Sequence, residues 1–443
     1  MTRPTVYIET YGCQMNVSDS ELMLGALGAA GYDSVETPDG ADVILVNTCA
    51  IRDHAEQRVI GRLGELKRHM KRDSVLGVTG CMAQRLGPRL LESAKHVSLV
   101  VGPDGYRALP TLVERARNGM RSTSVTFDLE EHYEDFKPRR IDRVKAWVPV
   151  QRGCDYKCTY CIVPTTRGPE RSRALPDVVR EVEQVVADGL TEVVLLGQTV
   201  NSWTAGGHDF GDLLRAVGAV PGVRRLRFTS PHPNDFSDRV ISAMAETDAM
   251  CEHVHLPMQS GSSRTLRRML RRYSREEYFE CVERLRAAIP GLAITTDIIV
   301  GFPGETDADF DETLSAVREI GFADAYTFRF SSREGTPAAR LPESETIPDD
   351  VASERLEQLI DTMRRGTRQR NLGALGERVE VLVEKAARRG GLLQARTRDF
   401  RTVLVPGGEE LIGSYMTVEL TGTTGSTFTG AVVTERQPLP MAG

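Results

Sequence analysis

The chain has no apolar run approaching membrane-spanning length, and its first residues, Met1 to Ile8, form no signal-peptide core. Neither a spanning helix nor a secretory leader is therefore expected. Basic charge is not in excess: 56 Lys and Arg against 62 Asp and Glu leave a net charge of −6. Any contact with nucleic acid must then come from local patches. No pair of side chains stands out as a general acid and base. Eight cysteines without a leader argue against structural disulfides and for metal or redox chemistry in a reducing cytoplasm. The remaining composition is that of an ordinary globular protein. At 443 residues the chain can build two or three domains, each with its own core.

The most informative stretch runs from Gln151 to Pro164 and holds Cys154, Cys158 and Cys161 at offsets 0, 4 and 7. A fourth ligand for zinc is missing, since the nearest histidines are His132 and His208. Three close thiols instead suit a cubane iron–sulfur cluster held at three irons, with the fourth open to an external ligand. The same spacing would also line one face of a helix with small buried hydrophobes. Gly153, Pro164 and the charged residues between the thiols oppose that alternative. CxxxCxxC with the aromatic Tyr160 before its last cysteine resembles the radical S-adenosylmethionine (SAM) enzymes. The resemblance implies that SAM chelates the open iron through its amino and carboxylate groups. One electron from the cluster then cleaves SAM to methionine and a 5′-deoxyadenosyl radical.

Upstream, three apolar β-branched runs each lead into a cysteine: Val6 to Gly12 into Cys13, Asp42 to Thr48 into Cys49, Ser74 to Gly80 into Cys81. Helical patterns follow at Ser18 to Ala30, Arg52 to Met70 and Gln84 to Ser93. This is the alternation of an open parallel α/β sheet, whose ligands gather at the carboxyl ends of the strands. Thiols 36 and 32 positions apart can meet there, although buried structural cysteine remains the alternative.

From about 140 to 370 six strand–helix units are expected, with strands at Ala146–Gln151, Glu192–Gly197, Arg224–Thr229, His253–Pro257, Ala293–Val300 and Ala325–Phe330. The helical patterns include Pro176–Asp188, Phe210–Val217, Ser274–Ala288 and Asp307–Ile320. The pattern fits a partial (β/α)6 TIM-type barrel with its chemistry on the loops after the strands. His253 and His255 alternate on one strand and, lacking a third ligand, read as packing or rim residues. Cys251 and Cys281 read as buried thiols. Arg264, Arg267, Arg268, Arg271, Arg272 and Arg275 form the densest basic run. They read as a solvated helical face or as phosphate contacts. Beyond Arg370 come five short strands beginning at Arg378, Leu392, Arg401, Tyr415 and Thr427, separated by glycine turns. They predict a small antiparallel barrel of the oligonucleotide-binding type, with Arg396, Arg398 and Arg401 at or near a loop tip that would favour RNA.

The residues around Cys13 (Tyr-Gly-Cys-Gln-Met-Asn), Cys49 (Val-Asn-Thr-Cys-Ala-Ile-Arg) and Cys81 (Thr-Gly-Cys-Met-Ala-Gln) resemble the N-terminal domain of the methylthiotransferases. Those are radical SAM enzymes with an auxiliary cluster. The rim segments carrying Gln198, Ser230, Gln259 and Asp297 resemble the same family's barrel, and the C-terminal strands its RNA-binding TRAM domain. The resemblance implies an α/β multidomain chain: 1–120 the methylthiotransferase domain, 121–139 a linker, 140–370 the radical SAM core, 371–443 TRAM and tail. It implies two 4Fe-4S clusters, one on Cys154, Cys158 and Cys161 and an auxiliary one on Cys13, Cys49 and Cys81. It further implies two SAM per turnover, as radical source and methyl donor, with Gln198, Ser230, Gln259 and Asp297 as contacts to SAM or substrate.

The segment Asn47 to Ala55 most resembles the bacterial tRNA enzymes that convert C2–H of N6-isopentenyladenosine at position 37 to C2–SCH₃. The implied partners are that tRNA and an electron donor such as flavodoxin or ferredoxin, for a cytoplasmic, monomeric enzyme without a membrane. Related enzymes act on a ribosomal-protein aspartate or on threonylcarbamoyladenosine in tRNA. A non-catalytic RNA-binding iron–sulfur sensor, and a radical SAM enzyme whose second cluster only relays electrons, are the readings from other classes.

Overall fold

The computed structural model describes residues 3–49, 53–388 and 390–437. Most of the Ala50 to Ala55 stretch that bears on the substrate subgroup lies outside the described residues or side chains. The first element is a six-stranded parallel sheet in the order Asp33–Ser34, Thr5–Thr10, Val43–Thr48, Val75–Gly80, Leu99–Val101, Ser122–Ser124. Alternation along Val43–Thr48 buries both of its faces. Val43 and Leu45 pack on Leu22, Met23, Leu27 and Val113, whereas Ile44 and Val46 pack on Val59, Leu63, Leu66 and Leu90. The strand order reverses between the parallel neighbours Thr5–Thr10 and Val43–Thr48, the position at which such sheets open a ligand crevice. Cys13 and Cys49 follow those two strands.

Two local expectations change. The helix expected at Gln84 to Ser93 begins at Cys81 and is broken into Cys81–Leu86 and Pro88–Ser93, because Gly87 lies at φ +52° and Pro88 restarts the chain. The segment 121–139, read as a connector, opens with the edge strand Ser122–Ser124. It also buries Tyr133, whose hydroxyl donates to the Pro103 carbonyl at 2.9 Å.

Six parallel strands form the middle of the chain: Lys145–Pro149, Glu192–Leu196 and Arg225–Phe228 in one sheet, His253–His255, Ala293–Val300 and Asp324–Arg329 in another. A parallel bridge between Leu226 and Met250 joins the sheets into one half-barrel. Val148, Leu195, Leu226, Val254 and Ile298 point outward into a core shared with the surrounding helices, among them Leu175–Ala187, Arg275–Ala288 and Asp307–Ile320. The last two begin with capping boxes on Ser274 and Thr306, which fix where each loop hands over to its helix. No helix among the described residues is long and apolar enough to cross a membrane.

The C-terminal strands Arg378–Ala386, Leu392–Thr397, Thr402–Pro406, Tyr415–Thr423 and Thr427–Gln437 close into a barrel. Its closing pair, Thr402–Pro406 with Thr427–Gln437, is parallel, whereas the expectation was antiparallel throughout. The barrel docks under the half-barrel. Fully buried Arg225 donates to the Arg396 carbonyl at 2.8 Å and to Glu380 Oε1 at 2.9 Å, and Arg227 donates to the carbonyls of Arg398 and Thr397. Phe400, at φ +74°, stacks on His253 with ring centroids 4.4 Å apart.

The three arginines expected to offer RNA a basic tip are therefore engaged within the chain. Arg396 pairs with Glu384, Arg398 with Glu252, and Arg401 with Glu377 and Asp399. A tip that is exposed in an isolated barrel is here pressed against a neighbouring domain.

Glu384 ties that joint together, accepting from Lys145 Nζ at 2.8 Å and from Arg396 Nη2 at 3.2 Å. Burial alone would raise its carboxyl, but the two cations outweigh it and hold the group down at about 2. A carboxyl depressed on folding stabilises the fold fully above its unfolded value of about 4.3 and loses that contribution as pH falls toward the folded value. Glu384→Gln is expected to cost about 3 kcal/mol at pH 7. The gap between the denaturation midpoints of wild type and variant should shrink steadily as the pH is lowered from 5 toward about 2; a gap independent of pH would refute this account.

Candidate active site

Gln151–Arg152 pairs antiparallel with Arg171–Ser172, pinching the base of the loop that carries Cys154, Cys158 and Cys161. The three cysteines lie in irregular backbone, so they do not share a helix face. Gly153 starts the loop at φ +78°, where an added Cβ would stand 1.9 Å from the Pro169 carbonyl oxygen. Thr159 anchors the turn, its N–H donating to the Met269 carbonyl at 3.0 Å and its carbonyl accepting from Ala338 at 2.8 Å. Cys154 Sγ lies 3.1 Å from the Thr199 hydroxyl, and Arg271 Nη1 donates to Cys158 Sγ at 3.4 Å. Burial pushes the Cys161 thiol up to about 12 and raises Cys154 as well. Thiolates in such surroundings need a metal's charge to form.

The second triad assembles at the carboxyl ends of three strands. Gly12, at φ +128°, lets Cys49 approach: a Cβ on it would stand 2.6 Å from Cys49 Cβ. Cys13 precedes the helix Gln14–Ala29, and a hydrogen bond with Cys49 draws its thiol down to about 6. Burial raises Cys81, whose electrostatic neighbours include Cys13 and Arg167. A clasp of buried amides sets the spacing. Asn16 Nδ2 donates to Asn47 Oδ1 and the Thr48 carbonyl, both at 3.1 Å, and Asn47 Nδ2 returns a bond to the Asn16 carbonyl at 2.7 Å. Sequence reasoning missed Asn16 and Asn47; their place within three residues of Cys13 and Cys49 was the available signal.

The donor chemistry fits a cubane in both places: three sulfurs each and, among the described residues, no fourth sulfur or imidazole gathered to them. Among the described residues no three ligating side chains close on a single metal ion. A cubane takes one sulfur at each of three separate irons.

A cavity of about 2630 Å³ opens inside the half-barrel, and Cys13, Cys49, Tyr160, Ser230, Gln259 and Asp297 all line it. It is more than twice the volume of a typical small-molecule pocket. Phe400 and Arg396 of the C-terminal barrel form part of its floor. Ser230 and Gln259 lie at φ +57° and +68°, left-handed conformations that cost a side-chain-bearing residue on the order of 1–3 kcal/mol and cluster at ligand sites. Gln259 is locked there by its N–H to the Asp297 carbonyl (2.8 Å) and by its own carbonyl accepting from Ile299 (2.9 Å). Its Oε1 is buried without a hydrogen-bond partner, and so is Gln198 Oε1. Both are acceptors left for a ligand.

Gln198 does not line the cavity, so the structure brings together three of the four expected rim residues. His253 and His255 share the Thr295 hydroxyl, each at 3.0 Å, which makes them packing and rim residues. Cys251 and Cys281 are buried. Of the basic run, Arg264 pairs with Asp309, Arg268 with Glu345 and Arg275 with Glu319, while Arg271 serves Cys158. Arg267 and Arg272 stay exposed, so the run is partly a solvated face and partly built into ion pairs and the cysteine loop.

Three consecutive blocks of the chain match known families. Residues 5–102 match the family described as Uncharacterized protein family UPF0004, residues 148–317 the radical SAM superfamily, and residues 374–433 the TRAM domain. Among solved structures, the radical S-adenosylmethionine methyltransferase TsrM from Kitasatospora setae superposes with a TM-score of 0.57 at 16% identity, over 76% of this chain and 74% of that one. That likeness shows the fold. Half-barrel, cysteine loop and superfamily match together make the chain a radical SAM enzyme, of the class that works with an iron–sulfur cluster and S-adenosylmethionine.

A protein of Sulfurihydrogenibium sp. (strain YO3AOP1) is 42% identical over 96% of this chain and 99% of its own length. One of Acidothermus cellulolyticus is 44% identical over 95% and 86%. Both are named tRNA-2-methylthio-N(6)-dimethylallyladenosine synthase, and this chain belongs to that family.

Proposed function

We propose that the chain methylthiolates tRNA, replacing C2–H of N6-isopentenyladenosine at position 37 with C2–SCH₃. The observation that carries the reading is near-full-length similarity to enzymes named for that product. In this reading Cys154, Cys158 and Cys161 hold the radical SAM cluster, and Cys13, Cys49 and Cys81 hold an auxiliary 4Fe-4S cluster. When bound, the first supplies the electron that makes a carbon radical from SAM, strong enough to break an aromatic C–H bond, and the second supplies or carries the sulfur.

The chain's own residues position and shield. Arg271 donates to the Cys158 sulfur, and the Thr199 hydroxyl lies within hydrogen-bond distance of the Cys154 sulfur. Ser230, Gln259 and Asp297 face SAM or the nucleoside, and Gln198 offers a further acceptor. Phe400 contributes an apolar face to the floor of the cavity. Domains fall at 1–120, 121–139, 140–370 and 371–443. A second SAM provides the methyl group. A flavodoxin or ferredoxin supplies electrons, and the enzyme works as a cytoplasmic monomer.

In cells lacking the gene, mass spectrometry of tRNA nucleosides should show 2-methylthio-N6-isopentenyladenosine lost and N6-isopentenyladenosine accumulated. Unchanged tRNA with a methylthio group missing from a ribosomal protein would overturn the substrate.

A further inference from the structure

Arg167 ends the short helix Val163–Arg167 that leaves the CxxxCxxC loop, yet its guanidinium serves the other triad. Its Nε donates to Cys81 Sγ at 3.1 Å. Its Nη2 lies 2.6 Å from Asp19 Oδ2, while Arg152 Nη2 stands 3.3 Å from Asp19 Oδ1. All three are buried: Asp19 is 0% exposed, Arg167 3% and Arg152 4%. Tyr106 donates its hydroxyl to Asp19 at 3.3 Å. One carboxylate between two guanidiniums leaves one net positive charge sealed beside Cys81, where water cannot screen it. Arg167 Nη1 and Nη2 are both buried without a hydrogen bond of good geometry, so the contact with Asp19 is a close ion pair. The neighbouring contact of Cys81 with Ile162 places the same loop against the same sulfur.

We propose that Arg167 is a positioning residue that tunes the reduction potential of the auxiliary cluster, and that it does so from the radical SAM loop. The inference rests on the assignment of Cys13, Cys49 and Cys81 to that cluster. Uptake of one electron adds one negative charge to the cluster and its sulfurs. A hydrogen bond to a ligand sulfur and a buried cation both stabilise the more negative state, so they raise the potential.

The test is an anaerobic redox titration followed by electron paramagnetic resonance on the full-length protein reconstituted with iron and sulfide, wild type against Arg167→Gln. The auxiliary signal is the one that persists when Cys154, Cys158 and Cys161 are replaced with Ala. Its oxidised-to-reduced equilibrium should move about tenfold toward oxidised in the variant, a midpoint about 59 mV lower for one electron. The midpoint of the other cluster should stay in place.

If Arg167→Gln alone fails to fold, the pair Asp19→Asn with Arg167→Gln, which leaves no unpaired carboxylate and no change in net charge, reads the loss of the N–H···S bond and should show a shift of the same sign. Iron content for two clusters with an unmoved auxiliary midpoint, or equal shifts at both clusters, would overturn the role of Arg167. Iron for one cluster, with no signal left in the triple alanine background, would instead overturn the auxiliary assignment itself.

Discussion

Replacing Cys13, Cys49 and Cys81 together with Ala should leave S-adenosylmethionine cleavage running while methylthiolated tRNA falls by on the order of a thousandfold or more, at about 1.4 kcal/mol for each tenfold. Replacing Cys158 alone should stop both. The difference follows from where the thiols stand. Cys158 is held by Arg271 inside the loop that starts at Gly153, whereas Cys13 and Cys49 line the cavity from the opposite domain. Release of 5′-deoxyadenosine measures the first activity and nucleoside mass spectrometry the second. Methylthio product surviving in the triple variant would mean that the N-terminal sulfurs only relay electrons. A triple variant that releases no 5′-deoxyadenosine would show that the two sites are not separable.

Gly153→Ala should be the most damaging single-atom change in the chain. The new Cβ would meet Pro169 O at 1.9 Å, Pro169 C at 2.4 Å and Gly168 O at 2.6 Å, all backbone atoms that no rotamer change can clear. The loop would have to open at its base, at a cost of more than about 4 kcal/mol. Iron content and the charge-transfer absorbance of the reconstituted protein should fall to roughly what the six thiols retain with one site gone. Gly189→Ala is the matched control. It shares a positive φ, +89°, but nothing lies within 4 Å of its added Cβ. It should cost about 1–2 kcal/mol, the usual expense of a left-handed alanine, and keep full iron. Equal losses at both positions would show that backbone conformation, not the contact with Pro169, limits the loop.

Much of the architecture is legible in one dimension because its signals are local. Strand Ala293–Val300 and helix Asp307–Ile320 fall where hydrophobic period and the Thr306 cap put them. The N-terminal helix, by contrast, starts at Gln14 rather than Ser18, since Gly12 ends the preceding extended backbone and Cys13 is free to begin the turn. The parallel closing pair of the C-terminal barrel had no local signal, because strand direction at closure depends on how five strands wrap.

At the site, the CxxxCxxC spacing is readable because three ligands of one loop lie within eight residues. Left-handed Ser230 and Gln259 were chosen only by resemblance. No residue type announces that backbone, and their strain is visible only in the folded rim. The arginines at 396, 398 and 401 show the reverse error. Their sequence reads as a free basic tip, yet each has a carboxylate partner on another element, Glu252 some 146 positions away.

The sequence by itself determined the order of the strand–helix units and the compact CxxxCxxC loop, because short spacings and alternation are set by neighbours along the chain. The class of chemistry and the second set of cysteines were legible through the resemblance of their flanking motifs to a known family. Only the tertiary structure decided that Cys13 and Cys49 face the same cavity as Gln259, that Phe400 floors it, and that Arg167 crosses from one cysteine loop to the other. Those contacts join side chains from separate domains. They come from the way buried faces dock, which burial and charge pairing settle in three dimensions and no linear pattern specifies.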